Sequence, residues 1–225
     1  INNTPQINDI EGLGGMRFQR FMSSMKLPNF SKLDLSSVDT LSDSPIPFET
    51  IFVNDEDFSD VRHIDLSNTK FWSGNAGQGT FTVNIEKYTK LKDLNISSSV
   101  VTSVSLPNAS LSSLNITDST VEGISLVNQP FLETLDFSGC KRLKTVTIDS
   151  CDKIAELNLS NLGDLHTIKI TSCPNLKSIV CTNNGKLTTF NVSNCNNVET
   201  INISSCTNRN LIVYIVGAPN IKTLN

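Results

Sequence analysis

Between residues 132 and 206 an apolar residue opens every eleventh position: Leu132, Leu143, Ile154, Leu165, Leu176, Leu187 and Val198. The fourth and sixth residues of each unit are mostly apolar too, as in Leu135 and Phe137, Val146 and Ile148, Leu157 and Leu159, Ile168 and Ile170, Phe190 and Val192. Apolar, polar, apolar over three residues is a short strand with one face buried. A period that never slips through seven units is the mark of a solenoid, in which each unit buries its apolar face only against its neighbours.

Eleven residues cannot enclose a core, whereas two units span twenty-two, about one coil of roughly 20–29 residues. Each coil is therefore expected to carry a strand on each of two sides. Upstream the period is ten, through Leu91, Val101, Leu111 and Val121, and one extra residue near Phe131 resets it to eleven. A looser form continues through Leu33-Asp34-Leu35, Ile51-Phe52-Val53, Ile64-Asp65-Leu66 and Val83-Asn84-Ile85, giving about eight coils.

These L-x-x-L-x-L-x-x-C/N units resemble the leucine-rich repeat family over roughly residues 27–225. The nested half-repeats look closer to the bacterial cell-surface type than to the type with a helix in its second half, because Ser, Thr and Asn crowd both halves and disfavour helix interiors. The resemblance implies a mainly β, right-handed superhelix of about eight coils with two short strands per coil. It also implies a non-enzymatic module that binds protein or peptide partners through its sheet face, secreted or held at a bacterial surface and acting in adhesion. A glycan-binding protein and a structural spacer without ligand are the alternatives. At the turn position the family carries Asn or Cys bonded to neighbouring backbone. Cys151, Cys173 and Cys195 stand twenty-two apart there, with Cys140 and Cys206 in the alternate halves, so a column of buried reduced thiols is expected. Disulfides between stacked rungs would be strained, and zinc finds no C-x-x-C pair.

Residues 1–26 read as a separate tail and cap. Over 8–26, Ile10, Leu13, Phe18, Phe21, Met22 and Met25 recur mostly at spacings of three and four, with Asp9 placed to act as N-cap. This predicts an amphipathic helix covering the first coil; three basic residues, Arg17, Arg20 and Lys26, give a membrane-surface helix less support. The chain begins at Ile1, so an export signal or lipid anchor is compatible with a preceding segment.

Recognition is expected on outward residues. One column reads Asp34, Asp65, Asn95, Asn115, Asp136, Asn158, Val180 and Asn202, and the other Ser105, Ser125, Thr147, Lys169 and Asn191. The first is a file of hydrogen-bonding groups one strand apart, suited to an extended polar ligand, or else a solvated face whose side chains bond one another. Two insertions add candidates. Residues 36–60 are rich in acids, and residues 68–80 set Phe71 and Trp72 in a Gly-rich stretch, where Trp72 either anchors a ligand or fills the coil.

A net charge of −4 and no basic run argue against nucleic acid. No apolar stretch approaches the ~20 residues of a membrane span. No cofactor fingerprint, calcium loop or nucleophile elbow is present. His63 and His166 lie too many coils apart to share a site, His63 beside Asp65 reads as a surface pair, and Asp34 with Asp65 lacks an aromatic cleft, so catalysis is not expected. The N-x-S/T triplets at Asn95, Asn115, Asn158 and Asn202 follow from the repeat and carry no separate meaning.

Overall fold

The apolar triplets become the rungs of a parallel β-solenoid of about six turns. The structure is a computed structural model that describes residues 9–10, 31–34, 36–37, 60–69, 82–86, 88–108 and 110–225. Its strands are β1 (Asp9–Ile10), β2 (Lys32–Asp34), β3 (His63–Asp65), β4 (Thr82–Asn84), β5 (Asp93–Asn95), β6 (Ser103–Ser105), β7 (Ser113–Asn115) and β8 (Gly123–Val127). They continue as β9 (Thr145–Asp149), β10 (Glu156–Asn158), β11 (Thr167–Thr171), β12 (Ser178–Val180), β13 (Thr189–Ser193), β14 (Thr200–Asn202), β15 (Ile212–Val216) and β16 (Thr223–Leu224).

One side of the solenoid is the seven-stranded sheet β4-β6-β8-β9-β11-β13-β15. The other side is divided into β1-β2-β3-β5-β7 and β10-β12-β14-β16. The division falls at residues 134–136, where no strand forms. This is the half-coil just after the extra residue near Phe131. Every strand pair is parallel, and the register brings repeat equivalents together, as in Ile168 against Val146 and Phe190. Two-sided coils with alternating strands therefore follow the period read from the sequence.

The core is a set of stacked columns. Leu33, Ile64, Leu94, Leu114, Leu157, Ile179 and Ile201 point inward from one side, and Val83, Val104, Ile124, Val146, Ile168 and Phe190 from the other. The residues that open each unit, from Leu91 and Val101 through Val198, are fully buried at the turns between them. Burying one such side chain contributes on the order of 1.5–3 kcal/mol, so a coil holding six of them is stabilised chiefly by this column packing.

Polar ties between coils add register. Lys144 pairs with Glu122 at 2.7 Å, Lys153 with Glu133 at 2.7 Å, Lys186 with Asp164 at 2.6 Å and Lys222 with Glu199 at 2.8 Å, each lysine reaching one coil back. Lys90 pairs with Asp60 in the same way. The ammonium groups hold the carboxyls of Asp60, Glu133, Asp164 and Glu199 below the usual carboxylate range. Exposed pairs of this kind contribute little singly; repeated on successive coils they disfavour a slip by one rung.

The amino-terminal expectation is corrected at Asp9–Ile10, which form strand β1 rather than the start of a helix. Asp9 and Ile10 pair with Lys32 and Leu33, so the backbone groups of β2 are met by a strand edge, and Ile10 takes the register of the inward column. The rest of the expected capping helix lies outside the described residues. So do the rung at 51–53, most of the 36–60 and 68–80 insertions, and Phe71 and Trp72.

Candidate functional site

The outward Asp/Asn column is where the sequence placed recognition, and its geometry shows a first duty to the backbone. The Oδ1 of Asp34 accepts the Ser36 N–H at 3.0 Å, and that of Asp65 the Ser67 N–H at 2.8 Å. Asn95 does the same for Ser97 at 3.1 Å, Asn115 for Thr117 at 3.2 Å, Asp136 for Ser138 at 2.8 Å, Asn158 for Ser160 at 3.1 Å and Asn202 for Ser204 at 3.0 Å. Each is an Asx turn, the short polar side chain standing in for the next backbone acceptor. The strands that make this bond, β2, β3, β5, β7, β10 and β14, each run for three residues, as does β12, whose outward residue is Val180. On the opposite side Asn84 makes the same bond to the Glu86 N–H at 3.2 Å and β4 and β6 run for three residues, while β8, β9, β11, β13 and β15, with Ser125, Thr147, Lys169, Asn191 and Tyr214 outward, run for five.

The turn continues in a fixed order. Three residues beyond the outward one, the chain takes a left-handed conformation: φ is 59° at Asn68, 54° at Ser98, 56° at Asp118, 61° at Asn161, 60° at Asn183 and 61° at Ser205. Asn, Asp and small polar residues accept this backbone best after glycine. At Gly139 (φ 72°) a Cβ would stand 1.8 Å from Asp118 Oδ1, so any side chain there must displace the Asp118 carboxylate as well as adopt the left-handed backbone. One residue later comes the buried Cys/Asn position. Cys140 Sγ donates to the Ile116 carbonyl at 3.0 Å and Cys206 Sγ to the Cys181 carbonyl at 3.0 Å. Asn184 Nδ2 donates to the Leu159 carbonyl at 2.7 Å while its Oδ1 accepts the Leu162 N–H at 2.8 Å. Thr69 and Ser99 donate to carbonyls of their own turns.

None of the six cysteines is in a disulfide; five are buried and Cys206 is half-buried. Burial pushes the Cys140 and Cys151 thiols up and that of Cys181 to about 12. Cys173 and Cys195 share one hydrogen bond, which together with burial raises the Cys173 thiol and by itself lowers that of Cys195, its acceptor; Cys140, Cys151, Cys173 and Cys181 are the raised thiols. Such thiols are protonated hydrogen-bond donors rather than nucleophiles.

Polar groups gather at one end of the same side. Lys32, His63, Asp65, Asp93, Asn95, Ser113 and Asn115 line a shallow recess across β2, β3, β5 and β7, with Ile64 and Leu94 between them. Four of the expected residues, Asp34, Asp65, Asn95 and Asn115, stand in one register across these strands. Asn95 Nδ2 donates to Asp65 Oδ2 at 3.2 Å. Asp136 and Asn158 lie farther along the solenoid, outside the recess. The Asp136 carboxyl is held below its ordinary range by the hydroxyl and N–H of Ser138.

The sequence reading missed the neighbouring column of Lys32, His63, Asp93 and Ser113, which sits two residues earlier on each strand. His63 Nδ1 lies 2.5 Å from Asp93 Oδ2, so its partner is on the next rung and not Asp65 on its own strand. The signal was present as the x of each x-L-D/N triplet, but the thirty residues between His63 and Asp93 conceal their adjacency. The His63–Asp93 contact joins two side chains and closes no turn, so a ligand can exchange for it without unmaking the coil.

Among the described residues no group of three or more His, Cys, Asp or Glu converges to hold a metal ion, and no helix is long and apolar enough to cross a membrane. No protein-family model matches the chain, and a search of curated proteins finds no match.

Proposed function

We propose that the protein is a non-enzymatic recognition module of leucine-rich repeat type, a right-handed superhelix of about eight coils at a bacterial surface, binding a protein or peptide through its β2-β3-β5-β7 face. The observation that carries this reading is the recess itself: a lysine, an imidazole, two carboxylates, two amides and a hydroxyl converge on a rigid sheet. Rigid placement of a few polar groups is what orients a ligand. These groups offer donors and acceptors to a partner's backbone and opposite charges to its side chains. The 68–80 segment, with Phe71 and Trp72, follows β3 directly in sequence.

Glycan binding is the second reading, favoured by the Asn and Asp lining of the recess. It is weakened because no aromatic ring lines the recess, and sugars are usually held against ring faces. Intrinsic fluorescence of Trp72, the single tryptophan, tests the choice when followed against immobilised peptide and polysaccharide panels. A change of emission with peptides alone supports the protein-binding reading; a change with polysaccharides alone replaces it by the glycan reading. Emission that every ligand leaves unchanged removes the 68–80 segment from the site, and the His63 and Asp93 variants described below then test the recess by itself.

A further inference from the structure

We infer that Cys173 and Cys195 form a two-coordinate thiolate site for a soft monovalent cation, copper(I) in type, separate from the recess. The two residues stand twenty-two apart, and each follows the end of its strand, β11 or β13, by two positions. The register sets Thr171 against Ser193, so the cysteines stack on successive coils with their side chains parallel. Cys173 Sγ lies 3.2 Å from the Thr171 carbonyl oxygen and Cys195 Sγ 3.4 Å from that of Ser193. The two thiols also meet each other through their shared hydrogen bond. The pair is interior to the stack: the Cys151 turn lies on one side of it, and on the other the turn at 217–220, where Asn220 Nδ2 donates to the Asn196 carbonyl at 2.8 Å.

The spacing selects the ion. Successive strands lie ~4.8 Å apart, and a metal–thiolate bond of about 2.3 Å gives about 4.6 Å across a linear sulfur–metal–sulfur unit. Parallel side chains line their sulfurs up along the stack with each Cβ–Sγ bond across it, which is the geometry such a unit requires. A disulfide would need sulfurs about 2.05 Å apart and converging Cβ vectors. Zinc would need a tetrahedral set of ligands, and among the described residues no group of three or more His, Cys, Asp or Glu converges. Sulfur donors favour copper(I) over harder divalent ions. Uptake breaks two S–H bonds and forms two Cu–S bonds, with two protons passing to solvent, so the loaded site carries one negative charge. The backbone N–H of Cys151 is turned to the Cys173 sulfur and that of Cys173 to the Cys195 sulfur, and both favour the thiolate. Hydrogen bonds to sulfur of this kind stabilise and tune a metal-bound thiolate. Exposed Pro174, Asn194 and Asn196 flank the two cysteines, so a single turn layer separates the sulfurs from solvent.

The test titrates the whole chain, reduced and free of oxygen, with copper(I) held by the chromophoric chelator bicinchoninate, and reads the copper environment by X-ray absorption. One copper(I) per chain is expected to leave the chelator and to show two sulfur neighbours with no nitrogen or oxygen. Cys173→Ala and Cys195→Ala are each expected to weaken uptake at least tenfold, while Cys181→Ala, Cys206→Ala and His63→Ala leave it unchanged. Should an alanine variant not fold, Cys195→Ser keeps the size and hydrogen bonding of the thiol and is expected to show the same loss. Failure of the chain to take copper(I) from the chelator overturns the site, as does undiminished uptake by the folded variants. Three or more sulfur neighbours, or equal uptake of zinc(II) in the same competition, overturn its two-coordinate character. Loss on Cys181→Ala or Cys206→Ala in place of Cys173→Ala and Cys195→Ala puts the copper on the other cysteine pair and overturns the assignment, and so does loss on Cys151→Ala without loss on Cys195→Ala.

Discussion

Thr182 donates its backbone N–H to Ser160 Oγ at 3.1 Å, a hydroxyl one coil below it in the stack. In the neighbouring coils the equivalent N–H finds the Asn158 or Asn202 side chain of its own strand. Here the outward residue is Val180, which has no acceptor, and the donor is satisfied from the previous coil. The relation shows what the Asp/Asn column is for: where its oxygen is missing, the turn N–H takes another acceptor rather than go unbonded.

Removing that substitute acceptor tests the assignment. Ser160→Ala is expected to cost about 1 kcal/mol in denaturant unfolding, and Val180→Asn, which restores the local Asx turn, is expected to recover most of it. The two changes should be clearly non-additive. Additive effects would mean that Thr182 is satisfied by other means.

Asn184 fills the buried position that Leu162 occupies one coil earlier. Asn184→Leu matches the apolar character of the repeat yet leaves the Leu162 N–H and the Leu159 carbonyl without their side-chain partner. Two buried polar groups so abandoned are expected to lower stability by about 2–4 kcal/mol, measured by chemical denaturation. A loss under 1 kcal/mol would show that the core can replace both bonds.

Gly139 and Gly163 provide a contrast in one experiment. Alanine at Gly139 would enter a left-handed backbone with its Cβ against Asp118, while alanine at Gly163 meets nothing within 4 Å. Gly139→Ala is expected to destabilise by about 1–3 kcal/mol, and Gly163→Ala to leave the unfolding midpoint nearly unmoved.

The buried thiols give the fold a signature at alkaline pH. In the folded chain the Cys181 thiol titrates at about 12 against an ordinary value of 9.0. A raised value means that the native state holds its proton longer than the unfolded chain, so the stability it contributes is complete below pH 9 and is lost as pH rises toward 12. Cys140 and Cys151, raised by burial, act in the same direction. Unfolding free energy should fall across that interval, and a variant with Cys181→Ala and Cys140→Ala should fall less steeply. In the native protein a thiol reagent at pH 8 should modify half-buried Cys206 quickly and the five buried cysteines slowly.

The period carried most of this architecture in plain view. Leu132 through Val198 mark the turns, the triplets mark the strands, and twenty-two-residue spacing stacks the cysteines, because each of these depends only on local alternation and a constant rise per coil. What the alternation could not show was which outward residues are engaged. Asp65 and His63 look equally exposed in sequence, yet Asp65 closes a turn and His63 reaches Asp93 across a thirty-residue interval. Nor does three- and four-residue spacing decide the amino-terminal segment at Asp9–Ile10, where an available strand edge outweighs local helical periodicity. The left-handed positions were legible only as an unremarked Ser, Asn, Asp or Gly before each buried Cys or Asn.

The recess is tested most directly by selecting a randomised peptide library against the whole chain, then measuring the selected peptides against His63→Ala, Asp93→Ala and Ser113→Ala. These three side chains close no turn of the coil, so the variants are expected to fold as the parent does. The account predicts peptides whose affinity falls at least tenfold on His63→Ala or Asp93→Ala. Peptides that bind all three variants as tightly as the parent, or a library from which nothing is enriched, would contradict it.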